Sequence, residues 1–87
     1  MSFYWNEEKN EILKKERGIS FERIVVVIEE GHLVDILEHP NKEKYRNQLL
    51  LAVEVDGYAI CVPCVMENDH DFFLKTLFPS RKYTRHY

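Results

Sequence analysis

Two cysteines stand three residues apart in Cys61-Val62-Pro63-Cys64, the spacing of redox dithiols and of half a zinc site. Redox pairs work at a helix N-terminus, where the helix dipole lowers the thiol pKa, but this motif lies in an apolar run typical of a β-strand. Residues three apart in a regular strand point to opposite faces, although Pro63 could form a bulge that brings the sulfurs together. A zinc site needs two more ligands, which the histidine spacing does not supply. The competing interpretation is a pair of buried, unreactive thiols.

Histidine exchanges protons near neutral pH, and three of the four histidines fall at predicted strand ends or turns. They are His32, His39 and His70. Each could act as a general base, but the spacing identifies no nucleophile beside any of them, so a solvated turn residue is the competing interpretation. His70 stands between Asp69 and Asp71, and nearby carboxylates would favour its charged form.

Cations and tyrosines are interleaved in the second half of the chain, which would place positive charge beside aromatic surfaces on which bases could stack. The cations are Lys44, Arg46, Lys75, Arg81, Lys82 and Arg85, and the tyrosines are Tyr45, Tyr83 and Tyr87. An ordinary solubilising tail explains the same composition.

The length and the charge balance restrict the class of protein. The chain has 87 residues and a formal net charge of −3, which predicts a single domain spanning 1–87. From Lys75 onward there are four cations and no acid, whereas the preceding residues carry 8 cations and 15 acids. This argues against a wholly basic nucleic-acid binder and places any phosphate contact at the C-terminal end and its neighbours in the sheet. No apolar run reaches the roughly 18 residues of a membrane span, and no secretory signal opens the chain, so we expect a cytoplasmic protein without membrane contact.

Two helices are predicted to position these residues from the N-terminal side. Asn6 caps the first helix, which stops near Arg17 before Gly18. Ser20 caps the second helix, which ends at Gly31. The apolar residues of the second helix recur at helical spacing, as Phe21, Ile24, Val25 and Ile28.

After the second helix the pattern favours β-strands. The predicted strands are Leu33–Leu37, Gln48–Val55, Tyr58–Met66 and Phe72–Phe78, with Asp56-Gly57 as a two-residue hairpin turn. Pro79-Ser80 would end the sheet or begin a short terminal helix. Two N-terminal helices followed by a three- to four-stranded antiparallel sheet make an α+β fold with the helices on one face of the sheet.

The segment FYWNEEKNEILKKERGISFERIVVVIEEG, which begins at Phe3, resembles the opening of the BrnT-type toxins of the RelE/ParE superfamily. The matching residues are Trp5, Lys9, Gly18, Ser20, Phe21 and Glu22. The closing FFLKTLFPSRKYTRHY is similar to that family's last strand and tail, through Ser80, Arg81, Lys82 and Tyr87.

The resemblance implies a RelE/BrnT-like fold and the toxin of a bacterial toxin–antitoxin system, a metal-independent ribonuclease that acts on mRNA without a cofactor. A cognate antitoxin would neutralise it, and the assembly would be a dimer or a toxin–antitoxin hetero-oligomer. In such chemistry the RNA 2′-hydroxyl attacks the adjacent phosphorus, so the protein orients the backbone, neutralises charge on the phosphate and moves protons. Carried over by position, the catalytic residues are Arg46, Arg81 and Lys82 for the phosphate, with Lys9 as a weaker candidate, and His70 or Tyr87 as the base.

A non-catalytic protein-interaction module of the same fold is the alternative, and the two hypotheses predict different surfaces. The ribonuclease requires Arg46, Arg81 and Lys82 to converge on one concave face. The interaction module requires a contiguous exposed apolar patch larger than a few hundred Å². A third hypothesis, in which Cys61 and Cys64 bind zinc or form a redox pair, is excluded if the two sulfurs lie on opposite faces of the sheet.

Overall fold

The computed structural model describes residues 1–38, 40–41 and 43–80. The elements are β1 Ser2–Trp5, α1 Glu7–Arg17, α2 Phe21–Glu29, β2 Leu33–Glu38, β3 Gln48–Val55, β4 Tyr58–Met66, β5 Asp71–Leu74 and β6 Phe78–Pro79. The predicted α+β class is confirmed. Neither helix in this part of the chain is long and apolar enough to cross a membrane.

Local hydrogen bonds explain where the helices begin and end. The Asn6 side chain accepts a hydrogen bond from the backbone N–H of Lys9 at 3.0 Å, and Gly18 ends α1 in the left-handed conformation at φ 70°. Ser20 Oγ accepts a hydrogen bond from the backbone N–H of Arg23 at 3.1 Å at the start of α2. Both helix starts and the end of α1 therefore agree with the prediction.

The predicted hairpin between β3 and β4 is also confirmed. Asp56 and Gly57 have φ values of 51° and 83°, and two successive positive φ angles are typical of the type I′ turn that suits the twist of a hairpin. Val55 and Tyr58 pair directly across this turn. The turn therefore sets the register of the two longest strands.

The sheet has the order β1-β5-β4-β3-β2, and β6 pairs with β4. β1 runs parallel to β5, with Ser2 opposite Asp71 and Trp5 opposite Leu74, while the other pairs are antiparallel. The prediction of two leading helices and a wholly antiparallel sheet of three or four strands is therefore wrong in detail. It missed β1 because nothing in the short segment Ser2–Trp5, which precedes the cap of α1, indicates that this segment pairs with a strand near the other end of the chain.

The predicted strand over residues 72–78 is divided into β5 and β6. β5 ends at Leu74 and β6 begins at Phe78, and between them the N–H of Lys75 donates a hydrogen bond to the Pro63 carbonyl at 2.8 Å. In an antiparallel strand the backbone N and C=O of one residue point to the same edge. The nitrogen of Pro63, which carries no hydrogen, therefore points toward the interval between β5 and β6 and not toward β3. Proline is tolerated in β4 because the outer ladder is interrupted beside it.

The core lies between the two helices and one face of the sheet. Its fully or almost fully buried members include Leu13, Phe21, Ile24 and Val27 from the helices and Leu51, Val53, Ile60, Val62, Phe72 and Leu74 from the strands. The Trp5 ring packs against Phe21, with 5.8 Å between ring centroids. Both described helices pack on this side of the sheet, and we call the other side the second face.

Candidate functional site

Cys61 and Cys64 lie on opposite faces of β4. Cys61 pairs with Ala52 and Cys64 with Leu49 in an unbroken register, so Pro63 introduces no bulge. Both thiols are buried, and burial raises the pKa of Cys61 and raises that of Cys64 to about 11. The hypothesis that the two sulfurs share a zinc ion or form a redox dithiol is therefore contradicted by the register.

Arg46 and His70 lie at the same end of the sheet, on different loops. Arg46 precedes Asn47, whose carbonyl accepts a hydrogen bond from the N–H of Met66 at 2.8 Å, at the end of β4. His70 precedes β5, and its carbonyl accepts a hydrogen bond from the N–H of Ser2 at 2.7 Å. Both side chains are exposed. We call this region the loop end of the sheet.

The C-terminal tail starts at the opposite end of β4. The N–H of Ser80 donates a hydrogen bond to the Ala59 carbonyl at 3.0 Å, near the start of that strand. Ala59 and Met66 are separated by about 23 Å, at about 3.3 Å per strand residue. The start of the tail is therefore far from Arg46 and His70, which weighs against one phosphate being held by Arg46 and the tail together.

Several residues identified from the sequence fall outside the described residues, namely His39, Arg81, Lys82, Tyr83, Arg85 and Tyr87. The convergence of Arg46 with Arg81 and Lys82 therefore stays a prediction. His32 is exposed, and its carbonyl accepts a hydrogen bond from the N–H of Glu54 at 3.0 Å, so the backbone of His32 links α2 to the sheet. Lys9 is half-buried in the first turn of α1.

A groove of about 410 Å³ lies between the end of α1 and the β3–β4 hairpin. We call it the hairpin-end groove, and it is lined by Glu16, Arg17, Ile19, Val55, Asp56, Tyr58, Ile60 and Pro79. A second hollow of about 420 Å³ shares three of these residues and extends to Lys14, Ser20 and Arg23. Since Pro79 lines the groove and Ser80 follows it, the basic tail begins at the rim.

Local structure explains why the groove is open. The left-handed Gly18 and the Ser20 cap turn the chain between the two helices within three residues, 18–20. The tight turn at Asp56-Gly57 places Tyr58 in the first position of β4, where the residue is 64% exposed. Of the residues that the structure describes, none forms a bulky segment between these two short connections.

Some charged side chains around the groove form ion pairs with other described residues, whereas Arg17 does not. Arg23 contacts Asp56 at 3.4 Å and Lys14 contacts Glu11 at 3.1 Å, both as exposed pairs. Among the described residues no carboxylate oxygen lies within 4.0 Å of the Arg17 guanidinium. Exposed ion pairs contribute little to stability and are readily exchanged, so Arg17 is the cation of this groove most available to an anionic ligand.

Sequence reasoning missed Arg17 and Tyr58 as site residues. The hairpin prediction placed Tyr58 beside Val55, and the cap prediction placed Arg17 at the end of α1. No local signal indicates that this helix end approaches this hairpin, because the approach depends on how the helices cross the sheet.

The second face carries a contiguous row of apolar side chains. Leu37, Leu50 and Pro63 are neighbours across β2, β3 and β4, and Val65, Phe73 and Tyr4 are neighbours across β4, β5 and β1. Tyr4 is 52% exposed, and the other five are half-buried. Both described helices pack on the opposite face. The row has the character of a protein-contact surface.

Three of the residues that carry the family resemblance meet where α1 and α2 are joined. The Asn10 side chain is fully buried, accepts a hydrogen bond from the Phe21 N–H at 2.8 Å, and donates to Glu22 at 2.7 Å and to Glu7 at 2.9 Å. Trp5 Nε1 donates to Glu7 at 3.1 Å. The hydrogen bond from Asn10 is the largest cause that lowers the pKa of Glu22. We call these five residues the helix joint, and their role here is to hold the helices together.

Comparison of the chain with protein-family models, with curated proteins and with solved structures gives no match.

Proposed function

We propose that this protein is the toxin of a bacterial toxin–antitoxin pair and acts as a metal-independent endoribonuclease on mRNA. The observation that carries the proposal is the hairpin-end groove, whose apolar floor is flanked by the exposed Tyr58 and by Arg17, a cation with no carboxylate partner among the described residues. The basic tail starts at its rim, since Ser80 is hydrogen-bonded to Ala59. A cation beside a stacking surface is what single-stranded RNA requires.

The chemical demand of the reaction is the stabilisation of charge on the phosphate while the 2′-hydroxyl attacks. In the proposal Arg81 and Lys82 meet this demand, because they follow Ser80 directly in the sequence. Tyr87, which belongs to the same C-terminal segment of the sequence, is then the candidate for proton transfer. Arg46 and His70, at the loop end, form a separate set whose contribution is tested independently.

Growth arrest in a bacterial host tests the proposal. Expression of the chain alone is expected to arrest growth, and co-expression of the neighbouring open reading frame or the substitution Arg81→Ala is expected to restore it. The matched control is Lys15→Ala, an exposed cation of α1 that does not line the groove, and this variant should still arrest growth. Normal growth with well-expressed wild-type protein would contradict the toxin assignment.

Two further variants separate the two sets of candidate residues. Arg46→Ala and His70→Ala are expected to keep the arrest if the reaction takes place at the tail. Loss of arrest in either variant, at wild-type expression, would move the reaction to the loop end of the sheet.

A non-catalytic interaction module is the second candidate, and the apolar row on the second face favours it. Phe73 lies between Val65 and Tyr4 in that row. Co-purification of the neighbouring gene product, lost with Phe73→Lys and accompanied by no growth arrest in any variant, would support the module in place of the ribonuclease.

A further inference from the structure

We infer that the outer edge of β2 is a docking site for an extended, basic segment of a protein partner, which adds to the sheet as a further strand. In this mode of binding, backbone hydrogen bonds provide affinity and the alternate side chains provide specificity. The site shares no residue with the hairpin-end groove, and the inference does not depend on ribonuclease activity.

The first argument is the position of β2 in the sheet. β2 is the last strand in the order β1-β5-β4-β3-β2, and among the described residues it pairs with β3 alone. Its register shifts between Leu33 and Asp35, so the regular part of the strand is residues 35–38, which we call the β2 edge. A strand segment of this length spans about 13 Å, which is enough for a short segment of a partner to pair with it.

The second argument is the direction of the backbone groups. In an antiparallel pair the N–H and C=O of one residue point to the same edge, and successive residues alternate. Val55 and Tyr58 close the two-residue turn as a hydrogen-bonded pair, so Val55 and, by alternation, Leu51 direct their backbone groups toward β4. Ile36 pairs with Leu51 and therefore directs its own N–H and C=O away from β3. In agreement, the N–H of Ile36 donates to the side chain of Asp35 at 2.9 Å.

The third argument is charge, which has a single sign in this part of the chain. Residues 29–38 contain no lysine or arginine and four acids, namely Glu29, Glu30, Asp35 and Glu38. Pairing of two β2 edges would bring carboxylates from both copies together, and like charges on neighbouring strands are destabilising. A second copy of the chain is therefore disfavoured, and so are the phosphates of a nucleic acid. A protein segment that carries lysine or arginine complements this charge.

The side chains of the β2 edge define what the segment must contain. Each side of the sheet carries one acid and one apolar residue here, with Asp35 and Leu37 on the second face and Ile36 and Glu38 on the helix side. Ile36 is 47% exposed, so an apolar side chain of the added strand can pack beside it. A partner cation that pairs with Asp35 releases the N–H of Ile36 for the new ladder. Without a partner, the Asp35 carboxylate protects the edge.

Titration of the full-length protein with a fluorescein-labelled peptide tests the inference. The probe is Lys-Val-Val-Lys-Lys-Val-Val-Lys, which in an extended conformation presents alternating cations and apolar side chains on both faces. Its control has the same sequence with every backbone amide N-methylated, so it keeps the charge and the side chains but lacks the hydrogen-bond donors. The control is expected to bind at least about tenfold more weakly than the probe.

Variants of the protein locate the binding site. Ile36→Pro removes the outward N–H without removing a hydrogen bond to β3, and it should weaken binding about tenfold. Ile36→Val keeps the N–H and should bind as the wild type does. Asp35→Asn removes one carboxylate and should weaken binding about threefold. The matched control Glu8→Gln removes an exposed acid of α1 and should leave affinity unchanged. Thermal unfolding of each variant confirms that it is folded.

Amide hydrogen exchange needs no substitution in the protein, and exchange at Ile36 is expected to slow when the probe is bound. Equal affinity for the probe and its N-methylated control, or wild-type affinity in a folded Ile36→Pro variant, overturns the inference, because binding is then a general attraction of opposite charges. Absence of probe binding also overturns it. Self-association of the wild type that is lost in Ile36→Pro assigns the edge to a second copy and overturns it as well. None of these results depends on RNA cleavage, so the inference and the proposed function are tested separately.

Discussion

The helix joint and the hairpin-end groove both depend on α1 and on residues next to the α1–α2 turn, but they use their polar groups differently. In the joint, the buried Asn10 side chain bonds the backbone of Phe21 and the carboxylates of Glu7 and Glu22. In the groove, Arg17 has no carboxylate within 4.0 Å among the described residues. Burial requires polar groups to be satisfied inside the protein, whereas exposed groups stay available to a ligand.

The residues on which the predicted family resemblance rests lie mainly in and around the helix joint. Trp5, Phe21 and Glu22 belong to the resemblance and to the helix joint, and Gly18 and Ser20 form the helix caps beside it. All five hold the two helices in place. Five of the six N-terminal residues behind the predicted resemblance therefore have an architectural role, with Lys9 as the exception, and functional tests are directed at residues outside these five.

The largest expected effect contrasts one aromatic residue from each region. Phe21 is completely buried, so Phe21→Ala should lower the free energy of unfolding by about 3–5 kcal/mol through lost burial and a cavity. Tyr58→Ala should lower it by less than about 1 kcal/mol, because most of that ring is in solvent. Urea unfolding followed by circular dichroism measures both, and equal losses would break the comparison.

The next effect contrasts the polar residues. Asn10→Ala leaves the buried N–H of Phe21 without its acceptor and should lower the free energy of unfolding by about 2–3 kcal/mol. Arg17→Gln should change it by no more than about 0.5 kcal/mol, as is usual for exposed positions without a partner. The same unfolding measurement applies. A large loss of unfolding free energy in Arg17→Gln would show that Arg17 stabilises the fold, and Arg17 would then no longer be a candidate ligand-binding residue of the groove.

The smallest effect is a dependence on pH. The hydrogen bond from Asn10 lowers the pKa of Glu22 below its ordinary value of 4.5, so the folded state favours the carboxylate. The resulting stabilisation is fully present above the ordinary pKa and is lost as the pH falls through the lowered folded value. Unfolding at pH 7 and at successively lower pH below 4.5 should show this loss in the wild type.

Variants in the two regions locate the source of that dependence. The loss should be smaller in Asn10→Ala, which lacks the hydrogen bond, and unchanged in Arg17→Gln. An acid profile identical in Asn10→Ala and in the wild type would assign the effect to other carboxylates.

Much of the fold could be predicted because it is encoded by neighbouring residues. Asn6 and Ser20 cap helices through atoms three residues away, and Asp56-Gly57 specifies its turn through two backbone angles. β1 could not be predicted in the same way, because its partner β5 lies near the other end of the chain. The division between β5 and β6 was missed because it depends on how this segment pairs with β4 and not on its own residues.

The candidate site was less predictable than the fold. Arg46 and His70 were identified correctly as polar residues beside strands, and the structure places them at one end of the sheet. Their relation to Arg81 and Lys82 stays a prediction. The cysteine pair shows how a motif fails, since the spacing of Cys61 and Cys64 is meaningful only where the backbone turns both side chains to one side, and β4 continues regularly through them.

The helix caps, the spacing of apolar residues in α2 and the Asp56-Gly57 turn specify the two helices and the central hairpin locally, and the amino-acid order alone places four cations and no acid from Lys75 onward. These signals arise from side chains within a few residues of one another, so they can be recognised before the fold is known. That the end of α1 and the β3–β4 hairpin line one groove, and that Ser80 lies beside the start of β4, follows from the fold. Packing of the apolar helix residues on the sheet places Arg17 and Tyr58 at one groove, although neither residue belongs to the apolar pattern that drives this packing.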